Sequence, residues 1–384
     1  MSGGDGLTML DDPLDRPRPI TIAQRLLADL HLDGPLLVGI ALVAGLGLFV
    51  LYSAGGQESG LLVGQSLRIG VAAVGMLVIA QIPPKFMRLW TPWIFTVGIL
   101  LLVMVLVAGE VGKGAQRWLN LGFMRFQPSE IMKLAVPMMA AWYLMDRPLP
   151  PRFGELLIVL LAISLIPAAL IARQPDLGTA LLIASSGIIV ILLAGMSVRL
   201  ILLFAGLAVA VTPLLWFNMH EYQKQRVLTF LNPESDPLGS GYHIIQSKIA
   251  IGSGGVFGKG WLNGTQAQLE FLPERATDFI FAVFGEEFGL LGLGSLLILY
   301  GFIVLRGLYI ASQAQDTYSR LLAGSISLTF FVYVFVNTGM VTGLLPVVGV
   351  PLPMVSYGGT SMVTLMAGFG ILMSVHSHRK LIPQ

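Results

Sequence analysis

No cysteine occurs among the 384 residues, so the chain forms no disulfide and no thiolate–metal site, and thiols say nothing about redox compartment. Charge is scarce as well: Asp, Glu, Lys and Arg make up 11% of the chain, against roughly 25% in soluble globular proteins. A formal net charge of +2 is too small to argue for nucleic acid as a partner. An apolar leader is missing from the first 33 residues, which are rich in Pro, Asp and Arg. They are expected to form a short disordered cytoplasmic arm, not a cleaved signal peptide.

Apolar sequence is what the chain has in quantity. It is 55% hydrophobic, with a mean hydropathy of +0.80, and runs of about 20 apolar residues recur along its length, each enough to cross a bilayer as a helix. Backbone hydrogen bonding in lipid permits only helices or closed barrels, and barrel strands are short and alternating. These runs are continuous, so the fold class expected is an all-α polytopic integral membrane protein.

Ten spans are predicted, at 34–54, 66–82, 91–109, 129–145, 156–172, 177–195, 199–218, 278–306, 320–343 and 358–376. Together they form a transmembrane domain over 34–378, interrupted by one large extracytoplasmic loop at 219–277 between spans seven and eight and followed by a cytoplasmic tail at 379–384. An even number of spans puts both termini on one side. Arg16, Arg18, Lys85, Arg88, Arg147, Arg152, Arg199, Arg320, Arg379 and Lys380 crowd that side, and short loops rich in Lys and Arg stay cytoplasmic.

Basic residues on the opposite side need a reason. Lys113, Arg117 and Arg125 in the loop 110–128 read either as solvated charge or as an outward-facing anion site, since Arg and Lys are what phosphate oxygens select. In the large loop, Tyr242, Ile245 and Ile249 recur at helical spacing and suggest a short helix on the membrane surface. The run Gly252-Ser253-Gly254-Gly255-Val256-Phe257-Gly258-Lys259-Gly260 permits close backbone approach but lacks the Walker A pattern. A lid, a phosphate-contacting loop and a plain hinge all fit it.

Polar residues within the spans cluster at few places. Ser129 reads as the cap of span four, and Glu130 and Lys133, at i and i+3, share a face and neutralise each other or act together. Arg173 and Asp176 form a similar pair in the turn before span six. The segment from Leu345 to Ser361 carries Pro346, Pro351 and Pro353 with several glycines at membrane depth, where irregular backbone is tolerated only inside protein or beside a wet cavity. It is expected to re-enter the membrane beside the active region.

Asp278 stands where the polar loop runs into span eight, and an ionisable group at a membrane boundary is a functional candidate by default. Capping the helix is the bland alternative. Glu286 lies eight residues on, about 12 Å deeper along a helix, and needs a partner such as Lys133.

These residues carry a resemblance. Arg117-Trp118-Leu119, Gln127-Pro128-Ser129-Glu130, Gln174-Pro175-Asp176-Leu177-Gly178-Thr179, Asp236-Pro237 with Gly241-Tyr242-His243, Phe271 to Phe281 and Leu352-Pro353 to Gly359 resemble the SEDS family of cell-wall polymerases, most closely its elongation branch. The likeness covers about residues 30–378, and the block from Pro273 to Phe281 is its most specific part.

The resemblance implies a peptidoglycan glycosyltransferase of the bacterial inner membrane. Its substrate would be lipid II, a disaccharide-pentapeptide on undecaprenyl pyrophosphate, used at the periplasmic face. By motif, Asp278 takes the family's essential acid, with Glu286, Glu130, Lys133 and Trp118 as supporting residues of the cavity. Arg117, Arg173, Lys248 and Lys259 are the cations offered to pyrophosphate. The metal site is unknown; no cofactor is certain, and a divalent cation, Mg2+ or Mn2+, is a candidate. A class B penicillin-binding protein transpeptidase and other membrane proteins of the elongation complex are the implied partners. A lipid II flippase and a non-catalytic scaffold stand as alternatives; carriers of this size usually show paired internal repeats, and no convincing repeat is found here.

Overall fold

The computed structural model describes residues 29–378, apart from 113–114, 121, 123–124, 220, 237–238, 270 and 273. Most of the N-terminal arm, the tail at 379–384, and Lys113, Pro237 and Pro273 therefore lie outside the described residues.

The helices start where caps and prolines permit. Asp33 caps α1 (Gly34–Ala54) by accepting the Leu36 amide at 2.9 Å, with Pro35 in the first turn. α2 (Ser59–Ala80) and α3 (Pro84–Ala108) begin about two turns before the apolar runs do. Charged Lys85 and Arg88 belong to the first turns of α3, and Pro84 at its start sets the helical φ in advance.

The loop 110–128 is not structureless. β1 (Glu110–Gly112), β2 (Ala115–Asn120) and β3 (Arg125–Phe126) form a small antiparallel sheet in that order, a correction to the all-α expectation. Then follow α4 (Pro128–Leu144), α5 (Phe153–Ala172) with a π-helical stretch at Ile158–Leu165, α6 (Leu177–Leu193) and α7 (Val198–Asn218). The segment after α7 holds α8 (Glu221–Leu231), α9 (Ser240–Gly254) and the single turn α10 (Thr265–Gln268). The last three helices are α11 (Ile280–Ser312), α12 (Thr317–Thr342) and α13 (Thr360–Ser377).

Among the described residues, α1, α2, α3, α5, α11, α12 and α13 are long and apolar enough to cross a membrane; α6 and the first half of α7 are shorter apolar helices. The protein is a multi-pass helical membrane protein. α12 is its hub, packed on α4, α6, α9, α11 and α13, whereas α2 and α3 turn most of their apolar surface outward. Helices meet closely where side chains are small: a Cβ at Gly370 of α13 would lie 2.6 Å from the Met76 carbonyl of α2.

Two elements differ from expectation in ways that shape the site. α9 does form, but it buries Ile244, Ser247 and Ala250 and leaves Ile249 exposed, so it is not a surface helix resting on Tyr242, Ile245 and Ile249. It docks on α11 and α12, and the Ser247 hydroxyl donates to the Val341 carbonyl at 2.8 Å.

The eighth predicted span is not continuous either. α11 breaks at Gly289, where φ is 63° and ψ is −162°. The glycine run explains the break: the amides of Lys259 and Gly260 donate to the carbonyls of Glu286 and Glu287 at 3.0 and 2.9 Å, and those of Leu290 and Leu291 donate to Gly255 and Val256 at 3.0 and 3.2 Å. The loop supplies the backbone partners that the broken helix lacks. It is a strap sewn to a helix break, not a lid.

Candidate active site

Three short stretches meet at Asp278. The Asn337 side-chain amide of α12, fully buried, donates to the Asp278 carbonyl at 2.9 Å and to the Val350 carbonyl at 2.7 Å. Ser356 donates its hydroxyl to the Thr277 carbonyl at 2.5 Å, and the Tyr357 amide donates to Ala276 at 2.8 Å. The irregular chain between α12 and α13 is thus buried in protein, with Tyr300 donating to the Pro353 carbonyl at 2.6 Å, which meets the condition for non-helical backbone at membrane depth. Asp278 itself is half-buried, and a Cβ at Gly349 would lie 3.5 Å from its Oδ2. Phe279, not Asp278, holds the N-cap position of α11.

Glu130 and Lys133 form the expected pair, Nζ to Oε1 at 2.8 Å, with side chains only 9% and 10% exposed. Thr364 of α13 donates to the second Glu130 oxygen at 2.8 Å, and the ammonium lies 5.5 Å from the centre of the Tyr333 ring. Ser129 does not cap α4; Gln127 occupies that position, without a side-chain cap bond. A cavity of about 500 Å³ opens beside the pair between α2, α4 and α13, lined by Leu67, Val71, Ile131, Leu134 and Val363 with Glu130 and Arg68 at its edge.

Arg68 went unremarked in the sequence, yet it is an arginine inside an apolar run, the signal that drew attention to Asp278. Its guanidinium lies 4.3 Å from the Tyr357 ring centre, and its NH1 is buried without a hydrogen-bond partner. One turn earlier Gln65 donates to the Ser356 carbonyl at 3.2 Å and accepts from the Gly358 amide at 3.3 Å. Residues 356–364 therefore link the Asp278 backbone to the cavity edged by Arg68 and Glu130.

The other candidate residues are placed elsewhere. Glu286 does not meet Lys133: it is wholly buried against Lys259 Nζ at 2.7 Å, Thr265 Oγ1 at 3.0 Å and the Gln266 amide at 3.1 Å. Lys259 is thereby occupied. Asp176 pairs with Arg117, not Arg173, at 3.5 Å; it caps α6 through the Thr179 amide at 3.3 Å, and Gln127 reaches it at 3.5 Å. That network pins β2 across the starts of α4 and α6. Trp118 is half-buried on β2, Arg173 is exposed, and Lys248 lies with its stem over Gly343 at the end of α12.

His243 stacks on Phe279, ring centres 5.5 Å apart, and burial lowers its pKa from the ordinary 6.5 despite the opposing charge of Glu274. Among the described residues no three acidic or histidine side chains converge into a metal-holding group.

Fold and site together define a multi-pass membrane protein in which the backbone of Asp278 is held by α12 and by the irregular chain before α13, whose following turns border an apolar groove. The family profile described as "Cell cycle protein" (FtsW, RodA and SpoVE) matches residues 35–381. The chain belongs to this family.

Among its relatives, the peptidoglycan glycosyltransferase MrdB of Escherichia coli K12 is 54% identical over 353 residues, 92% of this chain and 95% of the relative. The probable peptidoglycan glycosyltransferase FtsW of Trichlorobacter lovleyi is 40% identical over 322 residues, 82% of each. Two solved structures share the fold. One, reported for the structural coordination of polymerization and crosslinking by a peptidoglycan synthase complex, has TM-score 0.79 and 30% identity over 91% of this chain and 99% of that one. The rod shape determining protein RodA of Thermus thermophilus has TM-score 0.69 and 28% identity over 91% and 98%.

Proposed function

We propose that this chain is a peptidoglycan glycosyltransferase that polymerises lipid II during cell elongation, with Asp278 as its general base. The observation that carries the reading is the held acidic residue at the start of α11: the backbone of Asp278 is fixed by Asn337, and its neighbours by Ser356 and Tyr357. A positioned base of this kind is worth roughly 10²–10⁴-fold in rate.

In the proposed step Asp278 takes the proton of the acceptor sugar's 4-hydroxyl as that oxygen bonds to C1 of the donor. The bond from C1 to the pyrophosphate oxygen breaks, and the pyrophosphate leaves with the electron pair. An α-linked donor gives a β-linked glycan, so a single inversion suffices and no covalent enzyme intermediate is needed. Arg68 lines the cavity edge and is set to meet the growing negative charge, with Lys133 behind it in its pair with Glu130; Arg173 and Lys248 are exposed, and Arg117 and Lys259 are held in ion pairs away from this cavity. The apolar groove of α2, α4 and α13 suits a polyprenyl tail.

Mg2+ binds through one or two carboxylates plus substrate phosphates. With no group of three metal-holding side chains among the described residues, a divalent cation carried in on the pyrophosphate fits the site better than a resident one.

The topology that goes with this reading has ten spans, both termini cytoplasmic and Asp278 periplasmic. α4, α6 and α7 complete the seven longer helices, and the basic loops set the orientation. A class B penicillin-binding protein transpeptidase is the proposed partner, with other elongation-complex membrane proteins around it.

The test is purified chain in vesicles, alone and with that transpeptidase, given lipid II with divalent ions varied. Asp278→Asn is expected to fold, bind the partner and make no glycan. Glycan formation at the wild-type rate by Asp278→Asn sinks the assignment. Lipid II transfer across the bilayer without polymerisation by the wild type would make the protein a flippase, and inactivity in both assays a scaffold.

A further inference from the structure

At the opposite end of α11 from Asp278, a second cavity of about 680 Å³ lies between the α2–α3 turn, the α11–α12 turn and the end of α13. Pro83, Lys85, Arg88, Asp316, Tyr318 and His378 form its walls. We propose that it binds the phosphate of an anionic phospholipid from the adjacent leaflet.

Charge, depth and rigidity argue for this occupant. Lys85 and Arg88, at i and i+3, share one face of α3, are exposed, and take part in no ion pair among the described residues. The one acid in the wall, Asp316, is committed to capping α12 through the Ser319 amide at 2.9 Å. The walls therefore carry two cations against one acid, a net positive charge for an anion.

Its depth is set by its neighbours. Phe86, Leu89, Trp90 and Trp93 on the same opening turns of α3 are all exposed large apolar side chains. Trp rings mark the headgroup level of a bilayer, and flanking basic residues there contact lipid phosphates. A phosphate on an acyl-chain anchor meets both surfaces at once, cations in the cavity and aromatics beside it; a soluble phosphate uses only the first.

The cavity is also built to persist. Thr91 and Tyr318 hydrogen bond across its floor at 2.9 Å, and Gln81 donates to the Leu30 carbonyl at 2.6 Å behind the α2–α3 turn. His378 is held by stacking on His31 with ring centres 4.5 Å apart. Nothing in the proposed sugar transfer uses these residues, so this site stands or falls independently of Asp278.

The test is native mass spectrometry of the full chain released from nanodiscs of phosphatidylglycerol or phosphatidylcholine. Wild type is expected to retain phosphatidylglycerol in preference to phosphatidylcholine, and Lys85→Gln/Arg88→Gln to lose at least about fivefold of it. Arg88→Lys, which keeps the charge, should retain it, as should Arg199→Gln, which removes an exposed charge at the same end of the bundle. Equal retention of the two lipids, no loss in the double variant, or an equal loss in Arg199→Gln overturns the proposal. So does displacement of the bound lipid by millimolar inorganic phosphate with full occupancy by the free anion, which would mark a soluble-anion site. Unchanged glycan synthesis by the double variant in phosphatidylcholine verifies that it is folded.

Discussion

Two buried Glu–Lys pairs in this protein have nearly the same length and opposite meanings. Glu130–Lys133 at 2.8 Å sits within one helix and borders open space, whereas Glu286–Lys259 at 2.7 Å joins residues 27 apart and is closed in by the strap. The first pair keeps a face toward the cavity. The second has its carboxylate saturated by Lys259, Thr265 and the Gln266 amide. What separates the two pairs is not strength but whether a face is left toward open space.

Neutralising each pair is the sharpest way to test that difference. Removing one member of a buried pair strands the other, at about 3–5 kcal/mol. Lys259→Met and Lys133→Met should therefore both lower thermal stability. Replacing both members relieves the stranded charge. Glu286→Gln/Lys259→Met is expected to regain most of its stability and keep glycan synthesis within a few-fold of wild type. Glu130→Gln/Lys133→Met should regain stability and still polymerise on the order of 10²–10³-fold more slowly, because charge facing the leaving group is gone. Melting temperature and rate, measured on the same preparations, decide it. Equal activity in the two double variants would erase the comparison.

Gly289 tests the strap from the other side. A Cβ there would overlap the Gly258 amide nitrogen, and φ of 63° strains any L residue. Gly289→Ala is expected to cost about 1–3 kcal/mol and to raise proteolytic cleavage within 252–262 in limited digestion. Unchanged protection of that stretch would show that the strap does not depend on the break. Closer to Asp278, Asn337→Leu keeps the approximate volume but leaves two buried carbonyls without a donor, about 1–3 kcal/mol each. Turnover should fall more than lipid II affinity, since the acid is displaced while the groove is intact. A change confined to affinity would argue against a positioning role.

Sequence made some of this readable and hid the rest for physical reasons. The bilayer imposes its length scale on apolar runs, so the helices are legible; Asp278 and the Glu130–Lys133 pair stand out because charge is rare there. Read as part of an unbroken helix, Glu286 needs a partner from another span, such as Lys133. The true partner, Lys259, arrives from the glycine strap, and no local pattern announces which loop folds back onto which break. Arg68 was visible by the rule that flagged Asp278, since a guanidinium amid the apolar residues of α2 is as costly as a carboxylate at its edge. Asn337 left no such trace: its importance lies in two carbonyls it meets from segments far away in the chain.

The smallest expected effect concerns His243, which packs on Phe279 next to Asp278. Burial depresses its folded pKa below the 6.5 of an unfolded chain. The folded state then binds fewer protons than the unfolded state between those two values. Stability from this group is complete above about pH 6.5 and is lost as pH falls from there through the folded pKa. Melting temperatures of wild type and His243→Gln should therefore run parallel from pH 8 to about 7 and converge below about pH 6.5, with wild type losing more. Curves that diverge in the opposite sense would mean that the ring is charged against Phe279, and that the edge of α11 beside Asp278 is wetter than its packing implies.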